Sequence, residues 1–261
     1  MPSKVFHRKF YRFRARNLLF AMILAPFLFL SSCEKIFDTP DEKKPTELRF
    51  EFAMGVLELS EDKDGVDNNG EKLQKASSKF TIESGFIAIS NIEFDGRRQE
   101  GEDVYFVSDF DEPYLIDLTG EYEDVGISFD IPQGIYTTIE ITLHIGAEGY
   151  SALTMKGDYR QNVHRSIPVL FDYGYPEQIR VRARPGAQKD QIVLTKDAVS
   201  TARVLVETES LLRLVNYGMI IQADVVEIDG EEIILINEHT NAGLFNSISS
   251  RMNNSFEVVI E

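Results

Sequence analysis

The stretch "GIYTTIEITLHIG", residues 134–146, decides the fold. Its odd positions hold Ile135, Ile139, Ile141, Leu143 and Ile145, with Thr137 among them, while the even positions hold Tyr136, Thr138, Glu140, Thr142 and His144. A period of two sustained this long is that of a strand with one face in a core and the other in water. The many β-branched side chains suit a pleated, half-buried surface.

The same period recurs outward from this strand. In "LRFEFAM", residues 48–54, Leu48, Phe50, Phe52 and Met54 share a side. "KFTIESGFIAISNIEFDG", 79–96, reads as two strands or one bent strand with Gly85 at the bend. Its Asp95-Gly96 end is a turn signal, and "DVYFV", 103–107, is the expected return. Further strands are expected at 125–131, 151–156, 166–171, 178–184, 191–195 and 202–207, and Asp229-Gly230 predicts a hairpin. Helical spacing is confined to the later part of the chain. From residue 241, "NAGLFNSISSRM" sets Leu244, Phe245, Ile248 and Met252 on one face, and 209–216 predicts a shorter helix. Many short strands divided by turn signals predict a mainly β domain over 48–261, an antiparallel β-sandwich of one or two subdomains with one or two short late helices.

The first 47 residues are of another kind. Lys4, Arg8, Lys9, Arg12, Arg14 and Arg16 precede an apolar run from Leu18 to Leu30 that contains Pro26. A helix of that length reaches roughly 20 Å, short of the ~30 Å hydrocarbon core, so residues 1–32 read as a secretory signal rather than a span. Leu30-Ser31-Ser32-Cys33 resembles the lipobox of bacterial lipoproteins. That resemblance implies acylation of Cys33, cleavage before it and a palmitate-type lipid anchor, with 33–47 as a lipidated tether. Cys33 is the only cysteine, so the domain has no intramolecular disulfide and is held by its core. "DIPQGIYTTIEITLHI" resembles the Pro-x-Gly-x-Tyr turn and strand of transthyretin-like sandwich domains. Together with the lipobox and the closing "IILINEHTNAGLFNSISS", it is similar to uncharacterised lipoproteins of the Bacteroidetes. The resemblance implies a cell-envelope location, periplasmic or on the outer-membrane surface.

Charge narrows the partners. Loss of the six basic residues of the signal takes the formal charge from −16 to −22, which argues against nucleic acid and for a membrane contact through the lipid alone. Asp62, Asp64, Asp67 and Asn69 form a loop of hard oxygen donors suited to Ca2+. Their spacing misses the EF-hand pattern, so a solvated loop is the plainer reading and no cofactor is required. Arg180, Arg182 and Arg184 alternate with Ile179, Val181 and Ala183. They are expected either to answer carboxylates on a neighbouring strand or to receive an anionic ligand. Tyr173 and Tyr175 flank Gly174 in a loop, where aromatic rings cap a sandwich or grip a sugar or peptide. No Gly-x-Ser-x-Gly elbow, phosphate loop or histidine ligand spacing occurs, so catalysis is not expected. The function expected is a non-enzymatic binding or assembly module. The alternatives are a fimbrillin-like pilus or adhesin subunit, which would donate "NSFEVVIE", and an accessory glycan-binding lipoprotein.

Overall fold

A computed structural model describes residues 45–60 and 79–261, with 109, 119, 163 and 197 excepted. In chain order the strands are β1 (Pro45–Met54), β2 (Leu57–Ser60), β3 (Lys79–Arg98), β4 (Val104–Val107), β5 (Tyr114–Leu118), β6 (Glu123–Pro132), β7 (Gly134–Ile145) and β8 (Leu153–Asn162). They continue as β9 (Arg165–Tyr173), β10 (Glu177–Arg182), β11 (Arg184–Pro185), β12 (Ile192–Leu194), β13 (Ser200–Val206), β14 (Val226–Ile228), β15 (Glu231–Ile236) and β16 (Phe256–Ile260). Three short helices follow β13: α1 (Thr208–Leu211), α2 (Tyr217–Ile221) and α3 (Ala242–Ser249). The domain is mainly β.

One sheet has the order β11-β16-β13-β1-β6. The other is built on β3 as a spine of 20 residues. Along one edge of β3, β7 pairs with its second half and β8 with its first. Along the other edge lie β2, β5 and β4. Beyond β8 come β9, β15 and β14, and beyond β7 come β10 and β12. Both sheets are mixed rather than purely antiparallel. β1 runs parallel to β13, β11 to β16 and β15 to β9. The two-residue period is the same in either direction, so it carries no information on strand polarity.

The two sheets meet through aromatic rings. Phe50 of β1 lies edge-on to Phe129 of β6 at 5.6 Å, and Phe129 meets Phe106 of β4 at 4.8 Å. Phe106 stacks on Phe94 at 5.3 Å, and Phe94 packs against Tyr136 at 6.1 Å. Burial of rings this large is the main favourable term in closing such a core. Two of the passages between sheets are made through a single residue. β6 leads into β7 through Gln133 alone, and β10 crosses at Ala183 to become β11.

Two local expectations are corrected. Asp95-Gly96 is not a turn: β3 runs on to Arg98, and a Cβ on Gly96 would lie 2.5 Å from the Phe94 ring and 2.7 Å from the Tyr136 ring. The glycine makes room for rings rather than for a turn. In β7, the register slips between Arg97 and Arg98, leaving Thr137 as the extra residue of a bulge. The alternation changes phase there, so Tyr136 is 2% exposed while Ile135 is only half-buried. Gly85 lies inside one continuous strand, with the slip against β8 at the neighbouring position between Ile82 and Ser84. The Asp229-Gly230 hairpin forms, with φ of 52° and 84°. Leu244, Phe245, Ile248 and Met252 are all buried, as their spacing implies.

Candidate functional site

The corner between β6 and β7 is built by the Pro-x-Gly-x-Tyr residues themselves. The Tyr136 hydroxyl donates to the Pro132 carbonyl at 2.6 Å, closing the turn on its own first residue. Burial pushes the Tyr136 phenol up to about 12, against the opposing pull of the Arg98 guanidinium. Gly134 has φ +148°, and a Cβ there would come within 3.2 Å of Arg98 Nε and Nη2. Its absence lets the guanidinium settle on the corner, where Nη2 donates to the Gln133 carbonyl at 2.7 Å.

Between this corner and β12 lies a cavity of about 320 Å3. Ile135, Val193 and Leu194 supply its apolar residues, and Arg98, Gln133 and Gly134 line it as well. Arg98 Nε is buried and has no hydrogen-bond partner. Glu100 and Thr195 also line the space. Thr195 is fastened to the first strand: the Thr46 hydroxyl donates to its carbonyl at 2.7 Å, with the Ala198 carbonyl at 3.2 Å. These bonds tie β1 to the β12–β13 connection, and its Pro45 pairs with Pro132. A concave apolar space with a few polar groups converging on it is the usual form of a small-ligand site.

The arginines expected on one face are divided between the sheets. Arg180 pairs with Glu140 at 3.3 Å, and Arg182 donates to the Thr138 hydroxyl at 3.2 Å. Arg184, past the crossing at Ala183, pairs with Glu257 of β16 at 2.7 Å. Two of the three thus meet carboxylates of neighbouring strands, and Arg182 meets a neutral hydroxyl. Both ion pairs are exposed, and each contributes at most about 1 kcal/mol. Tyr173, expected in a loop, is instead the last residue of β9, and Gly174 and Tyr175 follow it. Tyr173 is 8% exposed, its ring 5.9 Å from Phe245 of α3, and its hydroxyl donates to Glu177 at 3.0 Å. Burial, reinforced by Glu177, pushes its phenol up to about 12. Tyr175, 46% exposed, leans on the same Phe245 ring at 6.4 Å.

On the outer face of the second sheet, His144 Nε2 meets Glu93 Oε1 at 2.6 Å, and the Tyr105 hydroxyl reaches Glu93 at 3.4 Å. Among the described residues no group of three or more His, Cys, Asp or Glu side chains converges as a metal site would require. Cys33 and the loop residues Asp62, Asp64, Asp67 and Asn69 lie outside the described residues. No helix among the described residues is long and apolar enough to cross a membrane. Arg98 is the residue that sequence reasoning missed. It lies 35 residues before the corner it clamps, so the motif marks the turn but not its cation. Comparison with protein-family models, curated proteins and solved structures returns no match.

Proposed function

We propose that the chain is a lipid-anchored cell-envelope protein, held in the outer membrane, whose β-sandwich domain is a non-enzymatic binding module. The observation that carries this reading is Leu30-Ser31-Ser32-Cys33, an aliphatic and two small residues before the sole cysteine, at the end of a short apolar run with a basic front. Pro45, the first described residue, is twelve positions beyond Cys33, a reach of at most about 40 Å. That length would keep the domain close to the bilayer surface. The binding role is supported by the cavity at the corner, while the exposed Arg180 and Arg184 are answered by carboxylates of the same chain.

A pilus subunit would need a vacant seat in its own sheet for a neighbour's strand. β16 lies between β13 and β11, and β1 lies between β13 and β6. β1 is flanked along its length, and β16 pairs with β13 throughout and with β11 at Val259 and Ile260, which favours the binding module. The location is tested by feeding cells an alkyne-tagged palmitate and fractionating membranes. Label and membrane association should both disappear in Cys33→Ala; their persistence would refute the anchor.

A further inference from the structure

We infer that the corner cavity binds a small aliphatic carboxylate, with Arg98 receiving the anionic head and Ile135, Val193 and Leu194 the apolar body. The inference deepens the binding role proposed above and does not depend on the lipid anchor. It starts from charge. The sequence holds 43 acidic and 27 basic side chains, so carboxylates are in excess everywhere. Arg49, Arg165, Arg180, Arg184 and Arg203 each pair with one. Among the described residues, no carboxylate is bonded to the Arg98 guanidinium, whose side-chain bond goes to the neutral Gln133 carbonyl. Its Nε is buried and unpartnered, an unmet donor that any acceptor placed there would relieve. A carboxylate is the acceptor whose geometry best fits a guanidinium fork.

The rest of the wall sets the body of the ligand. Its apolar part comes from Ile135, Val193 and Leu194, and a space of about 320 Å3 admits a short chain or small branched body. Glu100 lines the same space. A dianion such as a phosphate monoester would carry its second charge towards that carboxylate, whereas a monoanion needs only the guanidinium. The site therefore selects a singly charged head on an aliphatic body.

The test uses the full chain reconstituted in phosphatidylcholine nanodiscs, with binding followed by saturation-transfer nuclear magnetic resonance. The probes are hexanoate, hexanol and hexyl phosphate. Hexanoate should bind at least about tenfold more tightly than hexanol, the ratio expected of one charge-assisted hydrogen bond. Hexyl phosphate should bind more weakly than hexanoate. Arg98→Gln should erase the preference for the acid. Because that change also loosens the corner, Val193→Trp serves as the second variant. Val193 is 47% exposed, so the fold accommodates the ring, which fills the cavity while Arg98 stays in place. Hexanoate binding should then fall at least about tenfold with an unchanged melting temperature. Equal binding of hexanol and hexanoate, or undiminished hexanoate binding in Val193→Trp, would overturn the inference. The acylation experiment on Cys33 would stand or fall separately.

Discussion

At the scale of single residues, the fold leans on side chains whose ordinary chemistry has been displaced. Tyr136 is the clearest. Burial disfavours the phenolate and pushes its phenol up from 10.0 to about 12. A folded-state value above the unfolded one means that this contribution is whole below pH 10 and is lost as pH climbs through 12. Tyr136→Phe should cost about 1 kcal/mol at neutral pH by removing the bond to Pro132. It should also flatten part of the loss of stability between pH 10 and 12, read from urea midpoints measured across that range. Tyr173 shares the window, so the flattening is completed only in the double Phe variant. A second residue test concerns backbone approach. A Cβ on Gly157 would sit 1.8 Å from the Thr81 carbonyl oxygen across the β3–β8 pair, while nothing lies within 4 Å of one on Gly174. Gly157→Ala should therefore destabilise by about 1–3 kcal/mol and Gly174→Ala by less than about 0.5 kcal/mol, compared in one denaturation series.

At the scale of elements, what the sequence made legible was periodicity, and what it hid was any feature in which the period breaks. β7, β9, β13 and α3 fall within a few residues of their expected places because apolar spacing alone defines them. The bulge at Thr137 breaks that rule and sends Tyr136 to the core, although alternation placed it in water. The arginine ladder was readable in outline, yet the crossing at Ala183 that separates Arg184 from Arg180 leaves no compositional trace. The candidate site was half legible: its corner carries a motif, but Arg98 reaches it from the far end of another strand. Two elements also carry predictions. Asn241, with φ 56°, accepts from Asp224 N at 2.7 Å and donates to the Asp224 and Leu235 carbonyls at 2.9 and 2.8 Å. Asn241→Ala removes all three bonds and strains the backbone, so about 2–4 kcal/mol should be lost, with faster amide exchange at residues 223–226. β16 contributes the buried Phe256, Val258 and Ile260 to its own sheet. Deleting residues 255–261 should yield aggregated protein on size-exclusion chromatography; a stable truncated monomer would favour strand donation instead.

At the scale of the whole molecule, the parallel pairing of β1 with β13 governs when the fold can close. Arg203 bonds Glu51 across 152 residues of chain, and the whole second sheet except β14 and β15 lies between these partners in sequence. Non-local pairing of this kind makes folding slow, on the order of milliseconds to seconds. A chain ending at residue 199 should stay sensitive to protease, because β1 then has β6 as its sole strand neighbour. The full chain should gain resistance in one late kinetic step. An exported polypeptide is threaded through its translocation channel unfolded, and premature closure would jam it there. Here the first strand to be made has half of its partners among the last to arrive. Under the envelope location proposed above, this topology would keep the domain open until β13 had passed through.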